Sequence, residues 1–173
     1  MAVVILGIPN ALLEAESSLE AFLSSEMQLQ LDQALDGHVL DAIEAANPDS
    51  GNTGTGLHEK LRHAKAAMNE KGANPSVALI SPTDAVALDL LTEDDVPRGF
   101  PFGLSFVEHA GVTDPILIDP RVAGVLYRGN VRVESNPYSG FSKNTTDLRA
   151  EFSALMVVRN ADGLYRIGEP ASS

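Results

Sequence analysis

The 173-residue chain has no cysteine and no tryptophan, and aromatic residues make up 5% of it. Without cysteine there are no disulfides and no thiolate metal sites, which suits a reducing compartment. No apolar run is long enough to span a bilayer. The most apolar segment, MAVVILGI (residues 1–8), lacks the basic leader and small-residue cleavage site of a signal peptide, and reads as a strand. Cations are scarce too: 12 Lys and Arg face 24 Asp and Glu, a formal charge of -12 and a pI of about 4.6. Such a surface repels free DNA unless its basic residues cluster. They gather only mildly, as Arg121, Arg128, Arg132, Lys143, Arg149, Arg159 and Arg166 in the last third, while the first third is acidic. That asymmetry either lets copies of the chain attract one another head to tail or is simply a solvated surface.

What is present begins with helical periodicity. Asn10 follows Pro9 and can cap a helix. Apolar residues then recur in steps of three and four: Leu12, Ala15, Leu19, Phe22, Leu23, Met27, Leu31, Leu35, Val39, Ala42 and Ile43. The spacing predicts one long amphipathic helix over residues 10–46, with Gly37 its weak point. At 1.5 Å per residue it reaches roughly 50 Å, too long for the core of a compact globule of this size. NPDSGNTGTG (residues 47–56) ends it as a boundary or hinge. Residues 57–71 form a second helix, with Leu57, Leu61, Ala64 and Met68 on one face and Gly72 as its cap. SVALI is a short strand; residues 81–91 are a helix with a Ser cap and Pro at its first position. TEDDVPRGFPFG is a loop, and LSFVEH and PILID are strands. GVLYRGNVRVES (residues 124–135) alternates with period two at its end and DLRAEFSALMVV (residues 147–158) from its start, around a turn-rich NPYSGFSKN, which predicts a long antiparallel hairpin with one wet face. GLYRIG is a last short strand.

Four constellations invite a chemical reading. GNTGTGLHEK (residues 51–60) has the glycine spacing of a phosphate loop in Gly51 and Gly56, but Leu57 and His58 stand where the motif needs Lys and Ser or Thr, and a helix precedes it instead of a strand. HEKLRH resembles the zinc motif H-E-x-x-H with one residue too many, so His58 and His63 lie some 140° apart on a helix and cannot share a metal. His38 and His109 have no partner pattern. Glu93, Asp94 and Asp95 could form a cation site or an acid/base pair, or be a solvated loop tip. No serine sits in a G-x-S-x-G or Ser-x-x-Lys nucleophile pattern. No catalytic residues, metal or cofactor are called for, and the balance points to a structural or assembly role.

The order of parts resembles the major capsid protein of tailed bacteriophages, the Hong Kong 97-type capsid fold that encapsulin shells also use. Residues 8–57, from IPNALLEAE to NTGTGL, are similar to the family's spine helix and its glycine-rich exit. NPSVALISPTDAVALDLL is similar to the axial-domain strand and helix. Residues 102–167, from FGLSFVEH to GLYRI, resemble the passage through the axial domain, the return as long peripheral-domain strands, and a closing axial strand. The resemblance implies an α+β capsid-fold chain organised as a peripheral-domain spine helix (1–50), a hinge at Gly51, Gly54 and Gly56 (51–56), an axial domain (57–123), a peripheral hairpin (124–160) and a terminal strand returning to the axial domain (161–173). It implies a structural subunit, not an enzyme, that assembles with its own copies into hexamers and pentamers of a phage or prophage capsid around packaged DNA. Scaffold and portal proteins are the implied further partners, with no sequence-specific nucleic acid and no membrane. The implied place is the virion, assembled in the bacterial host cytoplasm.

Family members usually carry an N-terminal arm and an extended loop before the spine helix. Here the sequence starts just before that helix, so the expectation is a natural or engineered portion of a larger capsid protein, Met1 being an added start. One subtype cross-links a Lys to an Asn that follows a Phe-x-Lys step, and FSKN puts Asn144 at the matching position. Asn144 is equally an ordinary turn former. Beside the capsid subunit stand an encapsulin-type shell protein and, from another class, an α/β enzyme or small-molecule binder using the Glu93–Asp95 loop.

Overall fold

The structure, a computed structural model, describes residues 2–11, 17–91, 99–140 and 143–168. The Glu93–Asp95 loop lies outside the described residues. The chain forms two compact units: Met1–Val39 with Leu126–Met156, and Leu40–Val125 with Val157–Ser173.

The first unit is a helix on an antiparallel sheet. Strand β1 (Ala2–Pro9) occupies the stretch expected to be a strand, and helix α1 (Ser17–Ala45) occupies most of the expected long helix. Strands β7 (Arg132–Gly140) and β8 (Thr145–Phe152) complete the sheet in the order β1-β8-β7. Along β8, Thr146, Leu148, Ala150 and Phe152 are buried while the residues between them lie nearer solvent. This period-two pattern meets the period-3.6 pattern of α1, whose Met27, Leu31 and Leu35 are buried in the same cluster with Ile8. Each large side chain so buried stabilises the unit by about 1.5–3 kcal/mol. The outward face pairs opposite charges. Arg132 lies opposite Glu151, Glu134 lies opposite Arg149, and Arg149 is ion-paired with Glu151.

The expected hairpin differs in two ways. Strand β7 runs through NPYSG to Gly140, with a register shift between Asn136 and Gly140 accommodating those turn formers. Each expected long strand also breaks in two. Before Arg132 the chain forms β6 (Gly124–Arg128), and after Phe152 it forms β9 (Ala154–Val158); these two make a separate two-stranded ribbon.

The second unit is a mixed five-stranded sheet, ordered β2-β10-β5-β3-β4. Its strands are β2 (Asp49–Gly51), β3 (Val77–Ile80), β4 (Ser105–Glu108), β5 (Ile116–Ile118) and β10 (Leu164–Ile167). The pairs β2–β10 and β3–β4 are parallel; β10–β5 and β5–β3 are antiparallel. Helix α2 (Leu57–Glu70) buries Leu61, Ala64 and Met68 in a core with Ala78, Ile80, Leu117 and Ile167. It stops in a Schellman arrangement. Gly72 sits at φ +85, its N–H bonds Asn69 O, the Ala73 N–H bonds Met68 O, and Ala73 is buried in the same core. Helix α3 (Pro82–Asp89) starts as expected, with Ser81 Oγ accepting from the Asp84 N–H at 3.1 Å. Two elements were not expected: β2, inside the stretch read as a pure break, and the short helix α4 (Pro120–Ala123).

Candidate functional site

The glycine stretch runs from Gly51, the last residue of β2, to Gly56, the N-cap of α2, all in the second unit, whereas the chain first passes from one unit to the other at Val39–Leu40, inside α1. Gly54 alone of its glycines has a left-handed backbone, φ +117, and an added Cβ there would meet Glu59 Cβ at 2.9 Å. Gly56 is the N-cap of α2 with extended backbone, and a Cβ on it would meet the His58 ring at 2.8 Å. A Cβ on Gly51 would run into the Tyr165 hydroxyl. The turn is pinned from the helix side, because the Glu59 carboxylate accepts from Thr55 N and Thr55 Oγ1, each at 2.8 Å. These bonds, the backbone one first, hold the Glu59 carboxyl below its ordinary range.

The histidines do not converge. His58 is half-buried and His63 exposed on α2; His38 is exposed on α1; His109 Nδ1 accepts from the Gly111 N–H at 3.0 Å. Among the described residues no group of three His, Asp or Glu could hold a metal, and no helix is long and apolar enough to cross a membrane. Clefts in the second unit are small. One of about 200 Å³ is lined by Gly51, Thr53, Lys60, His63 and Tyr165 among others, and one of about 330 Å³ includes Asn52, Lys60, Asp84 and Asp114.

Asn144 opens β8 at φ +52, a left-handed turn position that Asn tolerates. Its side chain is engaged within the first unit. Asn10 Nδ2 donates to Asn144 Oδ1 at 3.0 Å, the Asn10 N–H donates to Asn144 O at 3.0 Å, and Thr146 Oγ1 donates to Asn10 Oδ1 at 2.7 Å. Asn10, expected as a helix cap, clamps the end of β1 to the start of β8.

The most constrained ionisable group is one the sequence reading passed over. Asp119 is 1% exposed and caps α4. Its Oδ1 accepts from Arg121 N at 3.1 Å and Arg121 Nε at 3.2 Å; its Oδ2 accepts from Arg121 Nη2 at 3.2 Å and from Asn74 N at 2.8 Å. The Arg121 bonds hold its carboxyl below the usual range and outweigh the opposing effect of burial. The Asp119 N–H donates to Gly163 O at 2.9 Å, so this residue joins the turn after α2, α4 and the turn before β10. Its signal was available: Asp119–Pro120 is the same pairing of cap and first-turn proline as Ser81–Pro82. A second cation, Lys65, has its ammonium on Pro75 O at 3.1 Å and Phe102 O at 2.8 Å, and burial lowers its pKa. These are polar junctions between segments, and they bring no nucleophile to a base.

No family model and no curated protein matches the sequence. Solved structures do. The virus-like particle from Pyrococcus furiosus matches with a TM-score of 0.75 at 10% identity, over 96% of this chain and 75% of that one. The structure from Mycobacterium phage Adephagia gives 0.74 at 13% identity, over 96% and 70%. The capsid of an empty GTA particle, computed with C5 symmetry, gives 0.67 at 10% identity, over 95% and 71%. The chain has the α+β Hong Kong 97-type capsid fold, and a virus-like particle and a capsid are among the structures that share it.

Proposed function

We propose that the chain is a structural subunit of a phage or prophage icosahedral capsid, built from hexamers and pentamers of identical copies around packaged DNA. The observation that carries this reading is the likeness of nearly the whole chain, 96% of it, to a virus-like particle at a TM-score of 0.75. In this reading the first unit is the peripheral domain and the second the axial domain, the particle is assembled in a bacterial cytoplasm, and scaffold and portal proteins are its further partners.

Gly51, Gly54 and Gly56 then shape the turn that leads α1 into the second unit's core. Asn144 is in the first place a turn residue. A cross-link through it requires a lysine amine to displace its side-chain NH₂ as ammonia, and mass spectrometry of assembled particles tests this. Chains only of monomer mass would remove the cross-link.

Negative-stain microscopy and sedimentation of the purified chain test the function itself. Rings of five or six copies, or closed shells, are expected. A monomer at every concentration would overturn the reading.

A further inference from the structure

The β6–β9 ribbon carries a surface that the chain itself leaves open. Its strands read GVLYR and ALMVV, with Arg128 the one charged residue. The flanking bonds from Gly129 N to Ser153 O and from Arg159 N to Ala123 O set an antiparallel register in which Tyr127 lies opposite Leu155. Directly opposite residues share a face, and neighbours along a strand take the other. Arg128 is therefore on the face opposite Tyr127. On that face Arg128 turns to the first unit's own packing: its Nη2 donates to Asp32 Oδ1 at 2.8 Å and its guanidinium stands 5.1 Å from the Phe152 ring centroid, while Leu126 of the same face is 42% exposed. Tyr127 and Leu155 occupy the other face, 55% and 57% exposed.

The contrast with the first unit's sheet is informative. The outward face of the β1-β8-β7 sheet carries Arg132, Glu134, Arg149 and Glu151, as a solvated face should. The ribbon's outward face carries an aromatic and a leucine side by side. Two strands alone are marginal in water, so apolar cover on this face would stabilise the ribbon.

We infer that the Tyr127–Leu155 face is a docking surface for a second copy of this chain. The inference rests on the shell reading proposed above. A second copy is the occupant because the matching structures include a virus-like particle and a capsid, and because the same chain exposes an apolar patch of its own to offer, Val86 and Leu90, 57% and 76% exposed one turn apart. A contact between unlike patches of identical chains closes into rings when its rotation allows.

The test uses wild type, Leu155→Glu and Leu155→Cys. The cysteine-free chain makes the last a single-thiol probe. Circular dichroism should be unchanged, since the side chain is more than half exposed. Sedimentation should show association of Leu155→Glu weakened by at least about tenfold, as for a central apolar contact. Maleimide labelling of the Leu155→Cys thiol should slow by about tenfold or more between dilute and assembled protein, as the site becomes covered. If wild type assembles while Leu155→Glu assembles equally and the thiol stays reactive, the docking surface is wrong and the shell reading stands. If wild type never associates, the shell reading falls and takes this inference with it.

Discussion

The two units are held together by different means. The second is fastened by directional polar junctions: the Asp119 bonds to Arg121 and Asn74, the Lys65 ammonium on two carbonyls, the capped start of α3 and the Schellman end of α2. Among the described residues the first rests on one contact layer, α1 against β1 and β8, plus the Asn10 clamp and the Arg128–Asp32 and Arg149–Glu151 pairs. It also leaves Leu29, Leu126, Tyr127, Val133, Tyr138 and Leu155 exposed, against Val86, Leu90 and Val107 in the second. Among the described residues, buried polar junctions such as that of Asp119 fasten the second unit, while more large apolar side chains stay exposed in the first. On the shell reading proposed above, that difference would divide the labour between a body fastened internally and a body completed by assembly.

The strongest way to break the comparison is at Gly163. A Cβ there would stand 2.5 Å from Ala123 N and 2.7 Å from Ala123 Cα, where backbone cannot yield cheaply. Gly163→Ala should cost the second unit about 3 kcal/mol or more, measured by urea unfolding. A loss under about 1 kcal/mol would mean the α4 junction is loose.

Asp119→Ala should come next, at about 2 kcal/mol, from the lost cap and the stranded Asn74 N–H. Its pH dependence has a definite sign. The folded carboxyl titrates below its unfolded value of about 3.9, so its contribution is full above that pH and fades as pH falls through the folded pKa. The stability gap between wild type and Asp119→Asn should therefore narrow below about pH 4. A gap that widened on acidification would contradict the account of Asp119.

In the first unit, Asn10→Ala should cost about 1 kcal/mol by removing bonds to Asn144 and Thr146. Thermal unfolding with no change would reduce the clamp to decoration. The smallest effect has the opposite sign. Gly37 lies inside α1 with nothing within 4 Å of an added Cβ, so Gly37→Ala should stabilise by about 0.5–1 kcal/mol. Destabilisation would mean the helix needs its weak point.

What could be read in advance follows the same division. In the first unit, period 3.6 in α1 and period two in β8 are strong local signals, because each element has one buried face. In the second, Ser81–Pro82 and Gly72 announced helix ends through local chemistry. The misses have nonlocal causes. β2 is three residues, Asp49–Gly51, with no periodicity of its own, and exists because β10 lies beside it in parallel. The break of the long hairpin into sheet and ribbon falls at Ser153 on one strand, inside an alternation with no turn signal, and on the other at Gly129 and Asn130, turn formers within a stretch read as one strand. Tyr127 and Leu155 are apolar residues in apolar strands and read as core from sequence. Only the pairing register and the position of Arg128 reveal which face stays open. Asp119 was legible and was overlooked, since its cap signal matches that of Ser81.

The central claim is that this chain builds shells from copies of itself. Electron microscopy of the purified chain across a concentration series tests it most directly. The account predicts five- or six-membered rings or closed particles that grow in number with concentration. A population that remained monomeric throughout would contradict it.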